Sequence, residues 1–355
     1  MILPSQLPIV QAPMAGAQGA ALAIAVCEAG GLGSLPCAML TPAQLRTQIA
    51  EVRSRTAAPF SVNFFCHAPP TSDARAQARW LAALEPYYAE IGLDPASAAS
   101  GPGRSPFDAA MCEVVEDERP AVVSFHFGLP EEALLERVRR AGALIFSSAT
   151  TVAEARWLEA RGVDAIVAQG REAGGHRGMF LSTDIDAQPG LFALLPQVVD
   201  AVRTPVIAAG AIADGRGIAA AFALGAAAVQ IGTAYLRTPQ ATISNLHRAA
   251  LACAADDSTR LTNLYTGRPA RGLMTRLMRE LGPMNPIAPA FPLATGAIAP
   301  LRAAHEKSGS GDFSPLWSGE AGALAREEDA GALTHRLWSE ARAIAGALRL
   351  REGER

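Results

Sequence analysis

Two stretches, Pro205-Val206-Ile207-Ala208-Ala209-Gly210-Ala211 and Ala227-Ala228-Val229-Gln230-Ile231-Gly232-Thr233, decide the fold. Each is a short apolar run ending in small residues, the pattern of a parallel strand buried on both faces and followed by a tight turn. Small residues at a strand end let backbone N–H groups approach a phosphate, and the start of the next helix adds partial positive charge. In a (β/α)8 barrel the phosphate site commonly lies at the ends of strands seven and eight. On this reading Gly210, Ala211, Gln230, Ile231, Gly232 and Thr233 hold a phosphate through neutral donors, with a hydroxyl from Thr233. Arg216 is the cation at hand, and Asp214 caps the helix that follows.

Working outward, six further runs of the same kind precede these two: 8–14, 31–36, 60–65, 121–127, 143–149 and 165–170. Amphipathic stretches at 20–29, 42–52, 73–91, 131–141, 152–161, 191–202 and 217–224 read as the connecting helices. Eight such repeats predict an α/β fold, a closed TIM barrel. The rhythm breaks twice. The third crossover is too long for one helix, and its Pro/Gly/Ser-rich stretch 96–106 reads as a loop over one end of the barrel. After Thr233 the repeat stops. We expect a phosphate-binding barrel over 1–234, a smaller, mainly helical cap over 235–320, and a C-terminal helix within 321–355 that packs back on the barrel.

The bulk composition narrows the function classes. With 355 residues, half of them hydrophobic, the chain can bury a large core. A net charge of -3 and the absence of a basic stripe argue against nucleic acid. Five widely spaced cysteines without a CxxC pair fit neither a disulfide framework nor a zinc site. No HExxH motif or carboxylate cluster calls for a metal. No signal segment or apolar run of membrane length is visible, so a soluble cytoplasmic protein is the expectation.

Barrel chemistry sits at the C-terminal ends of the strands. The sixth run ends in Gln169-Gly170, followed by Arg171-Glu172-Ala173-Gly174-Gly175-His176-Arg177-Gly178. A histidine flanked by glycines above a barrel mouth has little local packing to explain it and can take a proton near neutral pH. We take His176 as the catalytic residue. Gly174 and Gly175 would let backbone approach a flat cofactor, and Gln169 offers an amide to its ring. His126, in Ser124-Phe125-His126-Phe127-Gly128, reads equally as a substrate contact or a buried hydrogen-bonded histidine. Asn63 is a polar group in an apolar strand and needs a partner. Ala12, Pro13 and Met14, in Gln11-Ala12-Pro13-Met14, are suited to lie against an aromatic ring.

These motifs, together with Ala29-Gly30-Gly31-Leu32-Gly33, Asn63-Phe64-Phe65 and Ser147-Ser148-Ala149-Thr150-Thr151, resemble the nitronate monooxygenase family. The Ser-Phe-His-Phe-Gly and Gly-His-Arg-Gly forms are similar to its class I. The resemblance implies FMN without a metal, and oxidation of alkyl nitronates such as propionate 3-nitronate by O2 to a carbonyl compound and nitrite. It implies FMN contacts at Asn63, Gln169, Gly174 and 230–233, with His176 catalytic. The chain departs in two places. The family usually has Ala-Gly-Gly where Gly210-Ala211 stands here, and class I tyrosines are missing, with Leu293 following Phe291-Pro292. The alternatives are an FMN-dependent enoyl-acyl-carrier-protein reductase, which would need NAD(P)H, and a non-catalytic flavin-binding barrel.

Overall fold

The computed structural model describes residues 3–71, 73–98 and 104–352. The expected loop at 96–106 therefore falls partly outside the described residues; its beginning forms a short 3-10 turn at Pro95–Ser97. Eleven strands occur among the described residues: β1 Ile9–Gln11, β2 Gly33–Pro36, β3 Phe60–Phe65, β4 Val122–His126, β5 Leu144–Ala149, β6 Ala165–Gln169, β7 Gly175–His176, β8 Val206–Ala209, β9 Ala228–Ile231, β10 Thr259–Thr262 and β11 Ala270–Leu273. Each of the eight expected strands lies within its run. The order β1-β9-β8-β6-β5-β4-β3-β2 is parallel throughout, and a parallel bridge between Val10 and Leu32 brings the two edges together. The sheet is an eight-stranded TIM barrel.

Side-chain alternation along the strands sets both core and site. Outward residues such as Val123, Ile145, Ile166, Ala208 and Val229 pack beneath the helices. Inward residues Val10, Leu32, Val122, Phe146, Val167, Ile207 and Ala228 fill the barrel. Continuing two residues at a time toward the C-terminal ends, the inward positions turn polar: Ser124 and His126 on β4, Ser148 on β5, Gln169 on β6 and Gln230 on β9. The same two-residue period that fills the barrel bottom with hydrocarbon thus delivers polar groups to its mouth.

The long third crossover holds two helices. Ala109–Glu118 buries Met111, Cys112, Val114 and Val115 against the barrel. The sequence reading missed this helix. The helix expected there, observed at Ala74–Glu90, leaves the barrel instead. Its Trp80, Leu84, Tyr87 and Tyr88 share a second core with Leu264, Tyr265, Leu277, Ile298, Leu301 and Phe313. Trp80 Nε1 donates to the carbonyl of Ala294 at 3.2 Å, and Tyr88 Oη to that of Ala297 at 2.6 Å. The layer over the mouth is therefore built from two chain segments and is not purely helical, because β10 and β11 form a hairpin inside it. The last helix, Ala330–Glu352, lies against the helix Gly215–Ala223, with Leu333, Leu337 and Ala341 in the barrel's outer core. Glu340 Oε2 accepts from Gly215 N at 3.0 Å.

Candidate active site

A cavity of ≈ 430 Å³ opens at the C-terminal ends of the strands. Ala12, Pro13, Met14, Asn63, His126, Gln169, Gly174, Gly175, His176, Gly210, Ala211, Gln230, Gly232 and Thr233 all line it. Ile231 does not. It is an outward position of β9, its side chain is packed in the outer core, and its carbonyl accepts from Ala12 N at 2.8 Å.

His176 is held by an arrangement the sequence did not disclose. Gly175 and His176 form β7, which pairs antiparallel with β11 through Arg271 and Ala270. The loop after β6 is thereby a third strand of the β10–β11 sheet. The His176 carbonyl accepts from Gln169 Nε2 at 3.0 Å, and His126 Nε2 lies 3.2 Å from it. Gln169 Oε1 accepts from Gly178 N at 2.8 Å, so one amide clasps both sides of Arg177. Arg177 is fully buried. It donates to the Gln188 side chain at 2.8 Å and to the carbonyls of Gly170 and Gln169 at 2.5 and 2.7 Å. Burial, with Arg271 adding repulsion, lowers its pKa to about 9.

Gly174 and Gly178 of this loop answer to the protein itself. A Cβ at Gly174 would lie 2.5 Å from Gly319 N, and one at Gly178 would lie 2.8 Å from His126 Cε1. Gly175 has φ +71°, a conformation glycine adopts without strain. This packing accounts for Gly174 and Gly178, whereas a Cβ at Gly175 would meet nothing within 4 Å, and Gly174 and Gly175 both face the cavity.

The His176 ring packs among Phe65, Phe127, Phe291 and Trp317 at centroid distances of 6.2, 6.1, 5.4 and 5.6 Å. Its Nε2 lies 3.0 Å from Thr266 Oγ1. Burial pushes its pKa well below the ordinary histidine value, and the charge of Arg104 adds to this, followed by His126, Arg268 and His67. His176 is therefore neutral at neutral pH. His126 is pushed down to about 3, first by burial, with the His176 carbonyl partly offsetting it. Since Nε2 of His126 faces a carbonyl, it carries the proton. Nδ1 then accepts from Ser148 Oγ at 2.6 Å. Both of its nitrogens bond to the protein, while the ring lines the cavity. Behind it, His67 is 6% exposed and lowered to about 4 by burial, with lesser contributions from Arg268 and Arg104.

The strand-end turns present donors. The N–H groups of Gly210, Ala211, Gly232 and Thr233 donate to no group among the described residues. Gly210 and Ala211 have φ +121° and +52°. Thr233 Oγ1 accepts from Gly319 N at 2.9 Å, leaving its proton free to donate. Asp214 caps the next helix through Arg216 N and Gly217 N, as expected, and binds the Arg216 guanidinium at 2.5 Å. Arg216 thus turns to Asp214 and does not line the cavity. Asn63 Nδ2 donates to Ser124 Oγ at 2.9 Å, which leaves its carbonyl oxygen for another partner.

Sequence reasoning missed Arg104, Thr266, Arg268, Phe291 and Trp317, all distant in the chain from the strand-end motifs. It also missed Gln18, which pairs with Gln11 at 2.5 Å and accepts from Met14 N at 3.2 Å, shaping the 12–18 loop. No cluster of three or more metal-ligating side chains occurs among the described residues.

A family model for nitronate monooxygenase matches residues 1–340. A nitronate monooxygenase of Paraburkholderia phytofirmans is 44% identical over 93% of this chain and 91% of its own length. The solved structure of nitroalkane oxidase from Streptomyces ansochromogenes is 42% identical, with a TM-score of 0.87, and the match covers 97% of this chain and 98% of that one. FabK from Thermotoga maritima is more distant, at 27% identity and a TM-score of 0.72 over 98% of this chain and 96% of its own.

Proposed function

The chain belongs to the nitronate monooxygenase family, and from that premise we propose that it binds FMN and oxidises alkyl nitronates with O2 to a carbonyl compound and nitrite. The observation that carries the reading is a neutral histidine facing a cavity whose other wall offers four unpartnered backbone N–H groups.

The donor set fits the phosphate of a flavin mononucleotide. The N–H groups of Gly210, Ala211, Gly232 and Thr233, with the Thr233 hydroxyl, would hold the phosphate without a lysine or arginine. The carbonyl oxygen of Asn63 and the Gln230 amide would meet polar ring atoms, with Ala12, Pro13 and Met14 against the ring. When bound, FMN supplies the electron transfer between the organic substrate and O2.

The protein supplies position and proton transfer. Thr266 Oγ1 lies 3.3 Å from the Arg268 carbonyl, to which it donates. Its oxygen therefore accepts from His176 Nε2–H, and the lone pair resides on Nδ1. Nδ1 has no partner among the described residues. For a nitroalkane, Nδ1 takes the α-proton, generating the nitronate in place. For a nitronate supplied as such, no proton need be removed and His176 acts as a neutral contact. Phe65, Phe291 and Trp317 keep water from the ring.

The test is an absorption spectrum of the purified protein followed by O2 uptake with propionate 3-nitronate. A flavin spectrum with nitronate-dependent O2 uptake supports the reading. A colourless protein removes the cofactor assignment. A yellow protein that is inert to nitronates but bleached by NADH without O2 replaces the reaction with reduced-nicotinamide chemistry.

A further inference from the structure

Arg104 and Arg302 line the cavity, Arg177 and Arg268 lie near it, and the protein engages three of these guanidinium groups closely. Arg177 makes three hydrogen bonds in the core. Arg302 donates to Glu306 at 2.7 Å, and that carboxylate also accepts from Ser314 Oγ at 2.7 Å. Arg268 lies 3.9 Å from the Phe127 ring centroid, donates to the Met179 carbonyl and is attracted by Glu154.

Arg104 is the least engaged of the four. It lines the cavity, and its Nε, like that of Arg268, is buried without a partner. One long bond, 3.5 Å from Nη1 to Thr295 Oγ1, engages the rest of the guanidinium, and no carboxylate among the described residues pairs with it. Burial, then repulsion from Arg302, lowers its pKa to about 10, so it stays charged at neutral pH. Its guanidinium carbon is 5.9 Å from the Phe291 centroid, and Phe291 is 5.4 Å from His176. A desolvated cation without a counter-charge is costly, and a planar guanidinium matches a carboxylate in two parallel bonds.

We infer that Arg104 is a specificity-determining residue that pairs with a carboxylate carried on the substrate, at the far end from the nitro-bearing carbon beside His176. The inference rests on the nitronate reading. The occupant is not the cofactor phosphate, because Arg104 contacts Thr295 and Phe291, whereas the unpartnered N–H groups belong to the β8 and β9 turns. A neutral alkyl chain would leave the half-buried charge unanswered. Arg104 is thereby the residue that favours carboxylated substrates, such as propionate 3-nitronate, over plain nitroalkyl chains of similar length.

The experiment compares propionate 3-nitronate with propyl-1-nitronate in the native holoenzyme, Arg104→Met and Arg104→Lys. In Arg104→Met, kcat/KM for the carboxylated substrate falls roughly 10- to 100-fold, mainly through KM, the range for a buried charged hydrogen bond. The uncharged substrate changes by less than about 3-fold, and Arg104→Lys restores part of the loss, as a compact charge can. Equal losses on both substrates, or no loss, overturn the inference. Calorimetry without O2 gives a second reading that needs no turnover. The native protein should bind 3-nitropropionate more tightly than 1-nitropropane, and Arg104→Met should lose that difference. If the native protein oxidises neither nitronate, the proposed reaction fails while calorimetry still decides the carboxylate subsite. Equal binding of the two nitro compounds by the native protein removes the subsite.

Discussion

His126 lies with its Nε2 3.2 Å from the backbone carbonyl of His176, so one imidazole anchors the strand that carries the other. Its opposite nitrogen is fixed by Ser148 at 2.6 Å, which sets the tautomer as well as the ring. On the proposed function, His126 is a positioning residue. His126→Ala should lower kcat roughly 10- to 100-fold, the scale for a small misplacement of a reacting group, while the flavin stays bound. Stopped-flow flavin reduction separates this from a binding defect. His126→Gln, whose amide nitrogen reaches the Nε2 position and can still donate to the carbonyl, should recover part of the rate.

The role of His176 divides by substrate. Proton removal by a positioned base contributes about 10²- to 10⁴-fold. His176→Asn should therefore lose that much on nitroalkanes and far less on pre-formed nitronates, measured by O2 uptake with each. Equal losses on both would assign His176 to nitronate binding instead of proton transfer.

Buried neutral histidines make stability depend on acid. His67 and His126 have folded-state pKa values of about 4 and 3, and His176 is also well below its ordinary value, in each case chiefly through burial. Unfolding returns each to about 6.5, where it binds a proton the folded state refuses. Their contribution is thus fully present above about pH 6.5 and declines as pH falls from there toward the folded values, by up to about 1.4 kcal/mol per pH unit for each. The melting temperature should fall from pH 6.5 to 4.5, and the fall should be shallower in His126→Asn. For the same reason, the kcat/KM profile for nitroalkanes should show no acid limb at the ordinary histidine value of 6.5.

The proposed phosphate cradle is separable from the fold at Gly232. A Cβ there would meet nothing tighter than Ala12 Cβ at 3.5 Å and Met14 Sδ at 3.7 Å. Gly232→Val should therefore retain the melting temperature of the flavin-free protein but purify colourless. Ala211→Gly should keep its flavin, because the left-handed conformation already observed at Ala211 is one glycine adopts freely. Equilibrium dialysis of FMN tests both variants. A Gly232→Val protein with full flavin content would move the phosphate elsewhere.

Much of this architecture is legible from local pattern. Strands buried on both faces write themselves as apolar runs, so all eight barrel strands could be read from Pro8 to Thr233. Cavity-facing residues close to those strand ends, such as Asn63, Gln169, His176 and Gly232, could be read with them. Ile231 could have been set aside by the same two-residue period that places Gln230 and Gly232 inward. Long-range convergence left no local mark. Arg104 lies at the end of a Pro/Gly/Ser-rich stretch, Thr266 follows a hairpin strand, and only the fold brings both to His176. β7 has two residues, too few for any periodicity. The helix Ala74–Glu90 looked like a barrel crossover because its apolar face is ordinary; nothing in it records that Trp80 and Tyr88 pack against Ala294 and Ala297.

The pairing of β7 with β11 makes the barrel loop and the overlying hairpin one mechanical piece. A hairpin transplanted from a relative would bring a β11 edge matched to another loop, and a transplanted loop would meet a β11 edge matched to Gly175 and His176. Grafting experiments that aim to exchange substrate preference must move residues 174–178 and 259–273 together, since either half alone dismantles the reacting centre it was meant to redirect.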